Sequence, residues 1–291
     1  MPGPSISIVT VCLNQAATIA DAIESVLGQV VDPSSGGVEY IVVDGGSTDG
    51  TCEIIARYAD RLAWWVSQPD RGQSHALNKG FARARGEILG WLNADDLLLP
   101  GALATVQSRF ESRACDVLCG ACRYDYPDGR SVVRRVTAGD LAFLDVHDPI
   151  HQPSCFWRRR LHEQVGGLDE SLHYGMDWDL FWRMARAGAR LAVCDEVLSV
   201  YRVTGVNKTS VGGRRRNREL YGLLRRHQRD PEARLLTEVA YRVLWPLKRL
   251  RGCRPRWLCR PVSDAARSAA LVALGPMFGF DRVRRCTHPF A

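Results

Sequence analysis

The chain has 291 residues, 46% of them hydrophobic and 24% charged, with no collagen-like period or low-complexity bias. That excludes a fibrous or largely disordered protein and leaves room for one large α/β domain or a domain with an appendage. The net charge of +7 is unevenly placed, because residues 213–291 hold 19 Lys and Arg against 6 Asp and Glu, leaving residues 1–212 at −6. Ten scattered cysteines form no framework of the kind small secreted domains use, and Met1-Pro2-Gly3-Pro4 followed by a short apolar run does not read as a signal peptide. Reduced thiols and a cytoplasmic location are expected. Cys115, Cys119 and Cys122 lack a fourth ligand at zinc spacing and read as small core residues.

Ser5 to Leu13 is a β-branched run ending at Asn14, and Ala16 to Val30 repeats apolar residues at Ile19, Ala22, Ile23, Val26 and Leu27. The pattern predicts a strand followed by an amphipathic helix. After a turn at Asp32 to Gly37, Val38 to Val43 reads as a second buried strand stopping at Asp44, and Gly50 to Tyr58 as a helix. Trp64-Trp65-Val66 predicts a third strand, Ser74 to Arg85 a third helix, and Glu87 to Leu92 a fourth strand ending at Asn93-Ala94-Asp95-Asp96. Such alternation implies crossover units on a parallel sheet, whose ligands sit outside the carboxyl ends of the strands. Asp44 and Asp95 both fall at such ends. Further on, Val117 to Val136 reads as a hairpin about Tyr126-Pro127-Asp128-Gly129, and Met176 to Ala187 as a helix with Leu180, Phe181 and Met184 on its apolar face. Beyond Lys208 the chain turns to Arg-rich helices, so the catalytic unit is expected to end near Gly213.

Three stretches carry candidate chemistry. Asp95-Asp96 presents hard oxygen ligands at a sheet rim, suited to Mg²⁺ or Mn²⁺ held through one or two carboxylates and substrate phosphates, or else is a turn that caps the next helix. Asp44-Gly45-Gly46-Ser47-Thr48-Asp49-Gly50-Thr51 joins an acid to glycines that allow close backbone approach, fitting a nucleotide's ribose or base, or a capped βα turn. Asp177 and Asp179 flank Trp178 at a helix start, where a carboxylate can act as general base or simply complement the helix dipole.

In order and neighbours these stretches resemble family 2 glycosyltransferases of the GT-A fold, in its bacterial envelope-polysaccharide branch. The likeness runs through Ile8-Val9-Thr10-Val11-Cys12-Leu13-Asn14, Glu24-Ser25-Val26-Leu27-Gly28-Gln29 and Val42-Val43-Asp44 to Thr51. It continues through Asp70-Arg71-Gly72-Gln73-Ser74-His75-Ala76-Leu77-Asn78-Lys79-Gly80, Gly86-Glu87-Ile88-Leu89, Asn93 to Asp96, Gly166-Gly167-Leu168-Asp169-Glu170 and Met176 to Leu180. About two-thirds of the chain is covered.

The resemblance implies a Rossmann-like, mostly parallel sheet flanked by helices over residues 1–212, with a basic, mainly helical region over 213–291. It implies a metal-dependent inverting transfer of a sugar from a nucleotide-diphosphate donor to a glycan or lipid-linked acceptor in envelope polysaccharide assembly. Asp177 would be the base, Asp95 the main ligand of Mg²⁺ or Mn²⁺, and Asp96 its assistant. Thr10, Asn14, Asp44, Asn78, Asn93 and Lys208 would bind the donor, with Asp44 on the nucleoside. His151, Gln152 and Trp178 would line the acceptor side. Three departures stand out. Asn93 is neutral where relatives carry an acid, Gly45 stands where many carry a second acid, and Thr204 stands near the place of a His, leaving Lys208 or Arg202 to neutralise the diphosphate.

The segment Ser268 to Phe280 is apolar but 13 residues long, short of the roughly 20 a spanning helix needs. With Trp245, Trp257 and many arginines, the basic region is expected to lie on an anionic membrane surface, or to pack as an ordinary helical subdomain. Two other functional classes fit less of the sequence: an inactive nucleotide-sugar-binding relative, and a nucleic-acid binder using the arginines. The latter finds no recognition motif beyond charge, and no nucleic acid is expected as a partner.

Overall fold

A computed structural model of the chain describes residues 5–244, apart from 33, 35, 113, 114 and 206. These form two compact units: residues up to Ala138 with Ile150–Val211, and Gly139–Pro149 with the residues from Gly212 onward.

The first unit is built on a nine-stranded sheet in the order β3-β2-β1-β4-β8-β6-β9-β5, with β7 paired to β6. Its parallel half holds β1 (Ile6–Cys12), β2 (Val38–Asp44), β3 (Trp64–Ser67) and β4 (Ile88–Asn93). All seven residues of β1 are buried. A central parallel strand covered on both faces needs such an unbroken β-branched run rather than alternation. The crossovers are α1 (Ile19–Leu27), α2 (Thr51–Ala56) and α3 (Gln73–Phe81). In α1 the residues that turn inward are Ile19, Ala22, Ile23 and Val26, the expected one-face spacing.

Past β4 the sheet becomes mixed. It contains β5 (Leu97–Leu98), β6 (Val117–Asp125), β7 (Ser131–Arg134), β8 (Cys155–Arg158) and β9 (Leu191–Arg202). Strand β8 runs antiparallel to both β4 and β6, while β6 and β9 are parallel with a register shift at Gly120. A Cβ at Gly120 would lie 2.4 Å from Leu198 Cδ1, so Leu198 packs where a side chain at 120 would stand. The expectation of a mostly parallel sheet therefore holds for its first half only. The helices here are α4 (Ala102–Glu111), α6 (Arg159–Val165), α7 (Met176–Arg186) and α8 (Lys208–Val211), while α5 (Ala138–Leu141) falls almost wholly in the second unit.

Helices cover both faces of the parallel half. Ile6, Ile8, Tyr40 and Val42 share a core with α1, α2 and α4 through Ile23, Ile55 and Leu103. On the opposite face α3 lies so close that a Cβ at Gly80 would sit 2.4 Å from Val9 Cγ1. Phe81 packs edge-on to Trp157, which meets Phe181 of α7 in the same way. The second unit contains α9 (Gly213–His227) and α10 (Pro231–Val239), the latter capped by Asp230. Leu220, Leu223, Leu224 and Leu236 are buried. Those four leucines of α9 and α10 are thus packed in protein, whereas Leu235 is exposed; the apolar segment at Ser268 to Phe280, with Trp245 and Trp257, lies outside the described residues.

Candidate active site

Register places the two acid-bearing tips side by side. Val11 of β1 lies opposite Val43 on one flank and Asn93 on the other, and Cys12 lies opposite Asp44. Asp44 and the Asn93–Asp96 turn therefore flank β1 at the same carboxyl edge, about 10 Å apart at two strand spacings.

Asp44 is wholly buried and its carboxylate is saturated. It accepts from the amides of Gly46 (3.1 Å) and Ser47 (2.9 Å), from the hydroxyls of Ser47 and Ser67, and from Cys12 Sγ at 3.5 Å. Burial alone would raise its pKa, but these donors outweigh it and hold the carboxyl below its usual range. The thiol of Cys12, buried beside that charge, is pushed up. Asp44 is thus the knot that ties β1, β2 and β3 together, and it has no lone pair directed at a nucleoside.

Other expected donor contacts are likewise occupied by the protein. Thr10 is buried and its hydroxyl accepts from Tyr40 Oη at 3.0 Å. Asn14 adopts a left-handed backbone (φ 53°), and its side chain accepts from the Thr48 amide at 2.9 Å, lacing the first loop to the second. Asn78 holds the Gly166–Glu170 loop, accepting from the Leu168 amide and donating to Leu168 O and Glu170.

Asn93 explains its own departure from an acid. Its carbonyl accepts from Gln73 Nε2 (2.9 Å) and Trp91 Nε1 (2.8 Å), while its amide donates to Asp96 (3.2 Å) and Gln152 Oε1 (3.1 Å). Two acceptor sites and two donors are the full capacity of an asparagine side chain. An aspartate here would lack both donors and set a second carboxyl group against buried Asp96. Asp96 is wholly buried, accepting from Asn93 and from the Arg202 amide, and its pKa is driven well up by burial and then by Asp95. It supports the turn from beneath rather than facing a ligand.

Asp95 is the carboxylate presented at the rim. Half-buried, with its pKa raised by desolvation, it accepts from Asn207 Nδ2 at 3.0 Å. Asn207 also accepts from the Thr204 amide and donates to Arg202 O. The loop after β9 therefore reaches the acid through Asn207, not Thr204. Arg202 is turned away, its guanidinium 2.8 Å from Asp21. Lys208, the first residue of α8, donates to Gln73 Oε1 at 3.0 Å and lies 5.9 Å from the centre of the Tyr174 ring. Gln73, at the start of α3, bridges Lys208 and Asn93.

Asp177, half-buried in the first turn of α7, accepts from the Trp178 amide at 2.9 Å. Asp179 is buried in an ion pair with Arg183 at 2.7 Å, which assigns it to packing. On the expected acceptor side, His151 is half-buried beside Tyr124 Oη at 3.2 Å. Gln152 is buried, donating to Trp91 O, and Trp178 is buried and stacked on Trp182. Those two shape the wall behind the site. Gln73 and Asn207 are the site residues that sequence reasoning passed over. Gln73 lies within the Asp70 to Gly80 stretch and Asn207 beside Lys208, but an uncharged amide gives no signal until its partners are known.

Among the described residues no three His, Cys, Asp or Glu side chains gather to hold a metal ion. The donor set at Asp95 fits Mg²⁺ or Mn²⁺ as one hard carboxylate, the remaining positions falling to water and substrate phosphates.

A parallel half-sheet with an acid-bearing rim, continued by a mixed half, gives the chain the GT-A fold. It resembles the structure of Staphylococcus aureus TarS 1-349 in complex with UDP-GlcNAc (TM-score 0.66, 16% identity, 98% of this chain and 91% of that one). It also resembles the mannosyltransferase PcManGT of Pyrobaculum calidifontis in complex with GDP-Man and Mn²⁺ (TM-score 0.63, 20% identity, 99% and 85%). In sequence it is 29% identical over 199 residues to an uncharacterised glycosyltransferase of Rickettsia typhi, and 29% over 217 residues to the succinoglycan biosynthesis protein ExoO of Rhizobium meliloti. Those alignments cover 64% and 69% of this chain and span only 60% and 61% of the relatives' length. Residues 7–166 match the profile of Glycosyl transferase family 2, and the chain belongs to that family.

Proposed function

We propose that the chain transfers a sugar, with inversion, from a nucleotide-diphosphate donor to a glycan or lipid-linked acceptor in the building of an envelope polysaccharide. The observation that carries this reading is the meeting of Asp95, Asn207, Lys208 and Gln73 at the carboxyl edge of the parallel strands. One anionic and one cationic group there suit a cation and a diphosphate held together. The relatives support it: ExoO is a succinoglycan biosynthesis protein, and the two structural neighbours were solved with UDP-GlcNAc and with GDP-Man and Mn²⁺.

In this reading Asp95 would hold Mg²⁺ or Mn²⁺, which would supply positive charge against the departing diphosphate. Lys208, oriented by Gln73, would add a second positive charge there. Asp177 accepts the proton of the acceptor hydroxyl as that oxygen attacks the anomeric carbon, with His151 beside the acceptor. The sugar–phosphate bond breaks on the opposite face, and the nucleoside diphosphate leaves with its electron pair.

The test is transfer and donor-binding measured on the full chain with a panel of nucleotide sugars and Mn²⁺. Asp177→Asn is expected to lose at least 100-fold in kcat while binding donor normally. Asp95→Asn is expected to abolish the Mn²⁺ dependence of nucleotide binding. Full turnover by Asp177→Asn would remove the base assignment, and a chain that binds no nucleotide sugar with Mn²⁺ would remove the function.

A further inference from the structure

Between Asp44, whose carboxylate is consumed by the scaffold, and the phosphate-facing rim there remains the question of what meets the nucleoside. Gly45 stands at the tip of β2, its amide bonded to Cys12 O at 2.9 Å. The space a side chain would fill there is taken, because a Cβ on Gly45 would lie 2.7 Å from Asp70 Oδ2. Asp70 arrives from the loop between β3 and α3, and the next glycine is pressed against the same loop: a Cβ on Gly46, at φ +89°, would lie 3.2 Å from the Pro69 nitrogen. The carboxylate is anchored at one end, since Oδ1 accepts from the Gly72 amide at 2.7 Å. Oδ2 accepts no hydrogen bond among the described residues, and the side chain is half-buried. On the same rim Leu13, the residue after Cys12, leaves an apolar side chain 55% exposed.

An oriented carboxylate oxygen and an exposed apolar side chain at the carboxyl ends of parallel strands are the two things a nucleobase needs, an acceptor for its edge and a surface for its face. We propose that Asp70 is the residue that reads the nucleobase of the donor, accepting a ring N–H of uracil or guanine. It does from the β3–α3 loop what an acid at position 45 would do from the tip of β2. Cytosine and adenine present an unprotonated ring nitrogen at the corresponding edge, and a carboxylate oxygen repels that lone pair. The assignment rests on the nucleotide-sugar reading above and gives it a base class.

The experiment is calorimetric titration of the full chain with UDP, GDP, CDP and ADP in Mn²⁺, for the unaltered chain and for Asp70→Asn, with melting curves as a folding control. UDP or GDP is expected to bind best, and Asp70→Asn to weaken that nucleotide by about 10-fold or more, as losing a charged acceptor does. CDP and ADP should change by less than about twofold by the same reasoning. A second approach leaves Asp70 in place: Gly45→Ala should produce the same selective loss by displacing the carboxylate. A third leaves the protein untouched: N3-methyl-UDP, or N1-methyl-GDP if guanine is preferred, should bind the unaltered chain as weakly as its parent binds Asp70→Asn. Unchanged affinity in Asp70→Asn, or an equal loss for all four nucleotides as a ribose contact would give, overturns the assignment while sparing the function. If the unaltered chain binds none of them, both fall.

Discussion

Asn93 shows how a single side chain settles a chemical question that motif reading leaves open. An amide that gives two hydrogen bonds and takes two is not a weakened acid; it is the joint between Gln73, Trp91, Asp96 and Gln152. Asn93→Asp should therefore harm the chain rather than improve cation binding. It leaves the Gln152 carbonyl without a donor and sets two carboxylates 3.2 Å apart. Urea unfolding should register a loss of about 3 kcal/mol at pH 7, and a variant as stable as the parent would show that the joint carries no weight. Asp95, Asp177 and Lys208 stood out in sequence because charge next to a strand end or helix start is visible in one dimension. The commitments of Thr10, Asn14, Asp44 and Asn78 were not visible, because each depends on a partner at least 2 residues and as many as 90 away.

Elements of regular period were legible and the others were not. Strands β1 to β4 and their crossovers follow from apolar runs separated by turn residues, and the β6–β7 hairpin from Tyr126-Pro127-Asp128-Gly129. Strand β8 is four residues long, and β9 carries exposed Asp195 and Glu196 in its middle, so neither shows a clean period of two. Packing between elements carries a pH dependence of its own. His162 of α6 is wedged between Phe81 of α3 and Trp157 of β8, its pKa lowered to about 4 by burial and then by Arg183. The unfolded chain takes up this proton near pH 6.5 and the folded chain only near 4. The His162 contribution to unfolding free energy should therefore be intact above pH 6.5, fall by roughly 3 kcal/mol toward pH 4, and level off below. His162→Phe should remove that share of the slope. Parallel stability curves for parent and variant between pH 4 and 7 would show that the ring titrates freely.

At the scale of the molecule, the acidic first part and the basic region beyond Gly212 were plain from composition, but their arrangement was not. Segment Gly139–Pro149 keeps company with the second unit although it interrupts the first in sequence. No helix among the described residues is long and apolar enough to cross a membrane. Since α9 and α10 bury every leucine but Leu235, attraction to an anionic bilayer would rest on their arginines, on Leu235 and on residues 245–291. Charge-driven binding of that kind weakens steeply with salt, whereas acyl insertion does not. Co-sedimentation with phosphatidylglycerol vesicles should fall several-fold between 50 and 300 mM NaCl, and deletion of residues 245–291 should reduce it further. Equal sedimentation by the truncated chain would exclude the tail as the membrane contact.

The shared volume between Gly45 and Asp70 sets a rule of mutual exclusion. A side chain on the first position evicts the carboxylate of the second, so related sequences should carry bulk at one or an acid at the other, and the two should change together. Moving the acid from one loop to the other would pass through a stage with neither or with both crowded, which makes that relocation a two-step event.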